Sequence, residues 1–341
     1  MAPPDETVAE LREMGCEFHA LSMPSHGLNP FADLSFLRRL RAQLNALSPH
    51  AFLSYTIKPN IYGSIACRAL GIPSMPNVSG LGTAFLAGGW LSRIIQSLYA
   101  YAFSSCSRVC FQNADDEALF VQRRLVQPHQ TLRLSGSGID LSHFQPSALP
   151  DPNPIRFLFI GRLLRDKGLV EFATAAQTVK RLHPQVQFDV LGAEGGGNPS
   201  AVPAATLRTW AETGLLNVLG TAKDVRPWIA RSHCVVLPSY REGAPRALIE
   251  AAAMARPLIA TDVPGCRDVV DEGTNGYLCA PRSGEDLARV INQFIARDAG
   301  TMSQMGSASR RIAEARFDQR AVVEQVMGAV RDAVLVRGVG A

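Results

Sequence analysis

Several signatures of common protein classes are absent from this sequence of 341 residues. The most apolar stretch, 85–111, is interrupted by glycines and by polar residues such as Arg93, so it does not predict a membrane-spanning helix. The seven cysteines are scattered, and no Cys-x-x-Cys or Cys/His cluster has the spacing of a zinc site. This pattern indicates core cysteines in a reducing, cytoplasmic setting.

Two nucleotide-binding motifs are also missing. No Gly-x-Gly-x-x-Gly opens a predicted helix, which argues against a dinucleotide oxidoreductase, and no Walker lysine motif is found. The composition itself is that of a folded globular protein, because 47% hydrophobic and 19% charged residues leave enough apolar surface to bury and give no sign of disorder. The length suits two domains of ordinary size.

Basic residues are distributed unevenly. The net charge of +4 is too small to suggest a nucleic-acid partner. Between residues 18 and 113, however, there are seven basic residues and only one acidic residue, Asp33, which gives a local charge of 7 − 1 = +6. Such a stretch suits an anionic partner, either a phosphate-bearing substrate or an acidic membrane surface, and it equally suits a solvated basic face.

Strand and helix patterns alternate along the chain in two series. In the first series the predicted strands are 17–21, 51–55, 73–78 and 108–112, and the predicted helices are 6–14, 36–47, 60–70 and 91–104. In the second series the predicted strands are 155–161, 187–192, 218–220, 234–238, 257–261 and 276–280, and the predicted helices are 169–182, 206–213, 225–230, the helix after Pro245, 284–296 and 310–336. The alternation predicts an α/β protein with two doubly wound parallel sheets, and the proline-rich stretch 146–154 reads as their linker.

One short stretch, REGAPRALIE at 241–250, suggests a binding site. It follows a predicted strand, and Pro245 fits the first position of a helix, whose free N–H groups and partial positive charge suit a phosphate. Glu242 lies in the loop and Glu250 about 7–8 Å down the helix, at about 1.5 Å per residue, so each would reach one sugar flanking a diphosphate. The alternative is a glutamate that favours the helix dipole and an ordinary surface glutamate.

The surrounding residues resemble a known family. The stretch PSYREGAPRALIEAAAMARPLIATDVPGCRDVV at 238–270 resembles the signature of retaining glycosyltransferases of family 4, which have the GT-B fold. FIGRLLRDKGL at 159–169 is similar to the donor segment Gly-Arg-x5-Gly of that family, and GSGID at 136–140 to its inter-domain segment. TIKPNIYGSIACRALGIP at 56–73 and SGLGTAF at 79–85 resemble a subgroup acting on undecaprenyl-diphosphate-linked sugars in bacterial surface-polysaccharide assembly.

The resemblance implies roles for individual residues of the second half. Arg162 and Lys167 match the cations that contact the donor diphosphate, where they would stabilise the charge of the leaving group. Glu242 matches the carboxylate that holds the donor sugar. The remaining predicted contacts with the donor nucleotide sugar are Gly161, Gly243, Ala244 and, on the ribose, Glu250.

Residues of the first half carry weaker assignments. Lys58, Asn60, Gly80 and Gly82 are predicted to lie in loops that approach the donor or the acceptor, since such loops follow strands. Asp116 resembles a family position but reads more readily as the cap of the helix that follows. Because no Asp-x-Asp element is present, the resemblance implies no metal and no cofactor, with front-side attack assisted by the leaving diphosphate.

The resemblance also implies an architecture and an activity. Two Rossmann-like domains would face a cleft: residues 1–145 with a C-terminal helix at about 318–341 on the acceptor side, and residues 146–317 on the donor side. The expected reaction moves a hexose or N-acetylhexosamine from a nucleotide sugar, with UDP as the default, to a lipid-linked saccharide or polysaccharide acceptor. The expected site of action is the cytoplasm, at the inner face of the cytoplasmic membrane.

The beginning of the sequence departs from the family pattern. Residues 2–5 resemble the exit of the family's second strand, so the first domain is expected to be incomplete, lacking a strand, a loop and a helix. An incomplete first domain would leave a sheet edge unpaired. The alternative function is therefore a catalytically weak protein that binds nucleotide sugars, or a subunit of a polysaccharide assembly.

Overall fold

The computed structural model describes residues 1–4, 7–23, 29–81, 85 and 89–338, with only the backbone from residue 336 onward. The chain divides into two compact units. The first comprises Met1–Phe111, Glu117–Arg133 and Val326–Ala341, and the second comprises Gln112–Asp116 and Leu134–Gln325. The assignment of the acceptor to one domain and of the donor to the other stays a prediction.

The first unit contains a parallel sheet of four described strands in the order β1-β2-β3-β4. Its elements are α1 (Val8–Glu13), α2 (Pro30–Leu47), β1 (Phe52–Tyr55), α3 (Ser64–Leu70), β2 (Ser74–Val78), α4 (Gly89–Phe103), β3 (Val109–Phe111), α5 (Ala114–Gln122) and β4 (Thr131–Arg133). A π-helical turn, Pro59–Gly63, leads into α3. The first residues of α5 belong to the second unit.

Helix α2 shows why an element begins where it does. Asn29 accepts hydrogen bonds from the backbone N–H groups of Phe31 and Ala32, both at 3.2 Å, and Pro30 occupies the first helical turn. This N-cap starts the helix six residues before the predicted position, because capping satisfies N–H groups that the leucine pattern does not show. Phe36, Leu40 and Leu44 form the buried stripe.

The second unit contains a parallel sheet of six strands in the order β10-β9-β8-β5-β6-β7. Its elements are β5 (Arg156–Ile160), α6 (Leu169–Leu182), β6 (Gln187–Leu191), α7 (Ala204–Glu212), β7 (Asn217–Val218), α8 (Arg226–Ala230), β8 (Cys234–Leu237), α9 (Arg246–Ala253), β9 (Leu258–Thr261), β10 (Gly276–Cys279), α10 (Gly284–Ile295) and α11 (Ala299–Arg316). The last helix, α12 (Gln319–Gly338), begins in the second unit and ends in the first.

The core of the second unit explains its short, continuous apolar strands. β8 and β9 are buried at every position, as expected for parallel strands that are covered on both faces. Phe157 stacks on Phe188 at 5.4 Å between ring centroids, and Phe172 and Phe294 pack edge-on against this pair. The rigid sheet fixes the ends of its strands, where the loops of the candidate site begin.

Two predictions about secondary structure are wrong. Residues 17–21 form no strand, and only Ala2 and Ala20 make a single parallel bridge there. The predicted helix 310–336 is two helices, α11 and α12, separated at Phe317 and Asp318. The N–H of Ile139 donates to the carbonyl of Phe317 at 2.7 Å, and the N–H of Gln319 donates to Ile139 at 3.0 Å. This bridge to a distant segment interrupts the helix.

Within the described ranges, no helix is both long enough and apolar enough to cross a membrane. All seven cysteines lie in described parts of the chain, and each is a free thiol.

Candidate donor site of the second unit

A tight turn places Lys167. Residues Arg165–Lys167 form one turn of 3-10 helix, and Gly168 follows with a φ of +76°. A Cβ atom at Gly168 would lie 1.9 Å from the carbonyl oxygen of Pro238, at the end of β8. Only glycine permits this approach with this backbone conformation. The turn after β5 is thereby pressed against the loop after β8.

The loop after β8 is held by two neighbouring segments. The N–H of Tyr240 donates to the carbonyl of Asp166 at 2.9 Å, and the N–H of Glu242 donates to Pro264 at 3.2 Å. Gly265, with a φ of +81°, lies so close that a Cβ atom there would be 2.7 Å from the carbonyl oxygen of Glu242. The sequence motif around residues 238–265 therefore encodes a fixed loop conformation.

Lys167 and Glu242 meet at the centre of the site. The Nζ atom of Lys167 lies 2.5 Å from Oε1 of Glu242, and the hydroxyl of Ser239 donates to the same oxygen at 2.5 Å. The Lys167 side chain is 25% exposed and that of Glu242 is 11% exposed, so both charges are shielded but reachable. A fixed cation and a fixed carboxylate at the ends of adjacent parallel strands are suited to a ligand that carries phosphate and hydroxyl groups.

The start of α9 adds backbone donors to this pair. Pro245 is the N-cap residue and not the first helical residue, so the helix begins at Arg246, one position later than predicted. Within the described residues, the N–H groups of Gly243 and Ala244 donate to no other group. Free N–H groups at a helix N-terminus favour an anion.

Glu250 lies farther along α9, at the wall of an open cavity of about 650 Å³. Its carboxylate accepts a hydrogen bond from Nε of Arg246 at 3.3 Å and lies 3.2 Å from Nη2 of the same guanidinium, and the residue is only 8% exposed. Burial raises the pKa of Glu250, and the charge and hydrogen bond of Arg246 oppose that shift. The rest of the wall comes from segments 137–144 and 223–226 and from Gln319.

The other two donor residues predicted in this unit lie after β5. Arg162 is exposed, and within the described ranges its side chain forms no ion pair or hydrogen bond. Gly161 would meet only the ring of Phe159, at an ordinary 3.6 Å, if it carried a Cβ atom. The neighbouring Gly192 is the crowded one, since its Cβ atom would lie 1.8 Å from the Gly161 carbonyl. The ligand contacts of Gly161 and Arg162 stay predictions.

Segment 112–116 supports the loop that carries Glu242. The sequence analysis did not predict this supporting role. The interpretation of Asp116 as a helix cap is wrong, because the Asn113 side chain accepts the hydrogen bond from the Asp116 N–H at 2.8 Å. The Asn113 amide also donates to the Gly243 carbonyl at 3.2 Å, and the fully buried Asp116 carboxylate pairs with Arg241. The family resemblance of this segment was the only signal for these contacts.

In the first unit, the predicted loop residues have partners of their own. Lys58 pairs with the buried Asp33 at 2.8 Å. The Asn60 amide accepts from Ser54 at 2.9 Å and donates to the Asn77 carbonyl at 2.8 Å, so it connects the loop to β1 and β2.

The two loop glycines differ. Gly80 is exposed, with open space where a Cβ atom would be. Gly82 lies outside the described residues. A role in ligand binding stays a prediction for Gly80 and Gly82, as it does for Lys58 and Asn60.

Metal binding finds no support in the described part of the chain, where no group of three or more His, Cys, Asp or Glu residues could hold an ion. The expectation that catalysis needs no metal is untested by this arrangement and stays a prediction.

Comparison with protein families gives two adjacent matches. The family described as "Glycosyl transferase 4-like domain" matches residues 1–135, and the family described as "Glycosyl transferases group 1" matches residues 154–297. The second match contains all seven residues that the motifs of the second half single out: Gly161, Arg162, Lys167, Glu242, Gly243, Ala244 and Glu250.

Individual relatives extend over most of the chain. An N,N'-diacetylbacillosaminyl-diphospho-undecaprenol alpha-1,3-N-acetylgalactosaminyltransferase of Campylobacter jejuni is 26% identical, over 86% of this chain and 81% of its own. A D-inositol 3-phosphate glycosyltransferase of Paenarthrobacter aurescens is 27% identical over 54% of this chain, which corresponds to 47% of its own length.

Solved structures share the fold. Sucrose-phosphate synthase from Thermosynechococcus elongatus superposes with a TM-score of 0.77 at 19% identity, covering 93% of this chain and 83% of its own. HepE of Anabaena, crystallised with UDP-glucose, gives a TM-score of 0.77 at 19% identity, with coverage of 95% and 88%. With its two parallel-sheet α/β domains and both family matches, the chain belongs to the group 1 glycosyltransferases of family 4, which have the GT-B fold.

Proposed function

We propose that this glycosyltransferase moves a hexose or N-acetylhexosamine from a UDP-linked donor to a lipid-linked saccharide or polysaccharide acceptor, with retention of the anomeric configuration. The observation that carries the proposal is the Lys167–Glu242 pair, held at 2.5 Å beside the start of α9. The Campylobacter relative, whose name states a diphospho-undecaprenol-linked acceptor, supports the acceptor class.

The donor diphosphate would lie between Lys167 and the N–H groups of Gly243 and Ala244. Negative charge grows on this group as the bond to the sugar breaks, and fixed cations and dipoles aimed at that charge lower the barrier. The exposed Arg162 lies on the same segment as Lys167 and would add a second cation. Because these groups are positioned before the donor binds, little reorganisation is needed in the reaction.

The two carboxylates would bind the sugars on either side of the diphosphate. Glu242, which already accepts two hydrogen bonds at Oε1, is rigid enough to orient the hydroxyls of the transferred sugar. Glu250 would accept hydrogen bonds from the ribose, and the cavity of about 650 Å³ beside it is large enough for a nucleoside.

Retention rests on the family resemblance and on the roles assigned to these residues. Lys167 would neutralise the leaving diphosphate, whose oxygen would take the proton of the attacking acceptor hydroxyl on the same face of the sugar. No protein nucleophile and no metal are part of this proposal. We also propose that the protein acts in the cytoplasm, against an anionic membrane that contains the acceptor.

A donor panel tests the proposal. Purified protein is incubated with UDP-linked and other nucleotide-linked hexoses and N-acetylhexosamines, together with a polyprenyl-diphosphate-linked saccharide in detergent. We expect one UDP-sugar to give an extended lipid product by mass spectrometry, with an α-linkage by NMR from the α-linked donor.

Two other results would redirect the interpretation. A β-linked product would overturn retention. Binding of nucleotide sugars without any transfer would favour the alternative of a catalytically weak nucleotide-sugar-binding protein.

A further inference from the structure

The outer face of α4 carries large side chains that a surface helix ordinarily buries. Trp90 is 74% exposed, Tyr101 is 54% exposed and Ile94 is 45% exposed. At about 100° per residue they fall on one stripe roughly 16 Å long, together with Arg93 and Ser97. The opposite stripe already packs into the core of the first unit, so core packing does not explain the outer one.

Arginines border this stripe. The guanidinium of Arg68, on α3, lies 4.9 Å from the ring centre of Tyr101 and donates to the Ser104 hydroxyl at 3.1 Å. Arg93 is exposed between Trp90 and Ile94. An arginine beside an exposed aromatic ring keeps its charge available to an anion while its planar group covers part of the ring.

Helix α3 packs against both α4 and α2, and α2 repeats the pattern. Phe31 is 87% exposed and Leu34 is 44% exposed at its start, and Arg38 and Arg41 are exposed farther along the same face. We call the exposed residues of α3 and α4 the aromatic–arginine surface: Arg68, Trp90, Arg93, Ile94 and Tyr101. The sequences of the three helices contain one acidic residue, Asp33, which is buried against Lys58.

We propose that the aromatic–arginine surface docks the protein on an anionic lipid bilayer. Exposed apolar surface marks interaction sites, and Trp and Tyr favour the boundary between headgroups and hydrocarbon. Arginines without neighbouring acids bind the phosphates of anionic lipids. This combination suits a bilayer better than a protein partner, because a bilayer offers dense negative charge immediately above hydrocarbon.

The inference deepens the proposed function, since a lipid-linked acceptor would require access to the bilayer. Its test does not depend on transfer. Vesicle sedimentation compares equal mixtures of phosphatidylglycerol and phosphatidylcholine with phosphatidylcholine alone. We expect binding to the mixed vesicles, weakened by salt, and little binding to the neutral ones.

The double variant Trp90→Ser/Ile94→Ser is expected to bind mixed vesicles about tenfold or more weakly, because it removes two apolar anchors. Trp90→Phe keeps an aromatic ring there and should retain binding. Leu182→Ser, which removes a 69% exposed leucine from the second unit, is the matched control and should bind like the wild type. Thermal unfolding of every variant checks that the fold is intact.

Arg93→Glu provides a second, purely electrostatic test, and it should reduce binding to mixed vesicles while the fold stays intact. Absence of wild-type binding, equal binding to neutral vesicles, or wild-type affinity in the double variant would overturn the inference. Vesicle binding without transfer would support the docking surface and refute the proposed reaction. Transfer in detergent without vesicle binding would do the reverse.

Discussion

Two lysine–carboxylate pairs, one in each unit, have similar geometry and different surroundings. Lys58 lies 2.8 Å from Asp33 in the first unit, and Lys167 lies 2.5 Å from Glu242 in the second. Asp33 is 3% exposed and also accepts a hydrogen bond from the Tyr62 hydroxyl. Burial of Tyr62, together with the nearby Asp33 carboxylate, raises the pKa of Tyr62 to about 12. The Lys58 pair thus joins helix α2 to the turn that begins α3.

The Lys167–Glu242 pair is not needed to hold its two loops together, because other contacts already do so. Gly168 and the N–H of Tyr240 fix its two loops without help from the ion pair. Beside it are the N–H groups of Gly243 and Ala244, which donate to no other group among the described residues and which a structural ion pair does not need. The role of a charge pair therefore depends on which hydrogen-bonding groups around it are still free.

The largest effects are expected when either member of the Lys167–Glu242 pair is replaced. Lys167→Ala and Glu242→Gln should each lower kcat/KM for transfer by at least about 100-fold, since each removes a group aimed at the reacting donor. Their melting temperatures should stay close to that of the wild type. Initial rates with the donor found by the panel measure the effect, and Glu314→Gln, at an exposed glutamate, is the control.

Lys58→Met is the matched variant in the first unit. It leaves the buried Asp33 without its cation, so the free energy of unfolding should fall by about 3 kcal/mol. Denaturant unfolding measures this change. An unchanged stability with a raised KM for the acceptor would instead make Lys58 a ligand-binding residue and remove the contrast between the pairs.

A glycine substitution is expected to displace the turn that carries Lys167. Gly168→Ala should reduce the free energy of unfolding by about 2 kcal/mol or more, because the new Cβ atom would meet the Pro238 carbonyl in a left-handed conformation. It should also reduce transfer. Gly328→Ala, in open space on α12, is the control and should stabilise slightly. Equal stabilities for both variants would contradict the packing of this turn.

The smallest expected effect concerns Glu250 and pH. Burial raises the pKa of Glu250, so ionisation of this group costs stability, and that cost appears as the pH rises through the shifted value. Glu250→Gln should therefore raise the melting temperature slightly at neutral pH while weakening binding of the nucleotide. A fall in stability would show that the ionised carboxylate and Arg246 stabilise the fold.

The same raised pKa predicts how binding depends on pH. Protonation of Glu250 removes an acceptor for the ribose hydroxyls. As the pH is lowered, the wild-type affinity for UDP should therefore begin to fall at a higher pH than it would with a glutamate of ordinary pKa. Glu250→Gln should flatten this dependence in calorimetric titrations. If the pH dependence of UDP affinity is the same in Glu250→Gln as in the wild type, a group other than Glu250 is responsible for it.

The sequence was sufficient for the alternation of strands and helices and for most of the residues brought together at Lys167 and Glu242. Apolar runs of four or five residues identify buried parallel strands, because both faces of such strands are covered. The family motif identifies Glu242 and Lys167 because their loops have little conformational choice, with glycines at the points of closest approach. Periodicity also locates α6 at the residues that the pattern predicts, Leu169–Leu182.

Only the tertiary structure decided which groups are already occupied. Asn113 caps α5 and bonds Gly243, while Asp116 pairs with Arg241, 125 positions away in the sequence. Asn60 is held between two strands, and Ile139 interrupts a helix that periodicity extends through Phe317. Local patterns specify elements because neighbouring residues share a backbone. Pairing between distant polar groups depends on how the chain packs, which no local pattern contains.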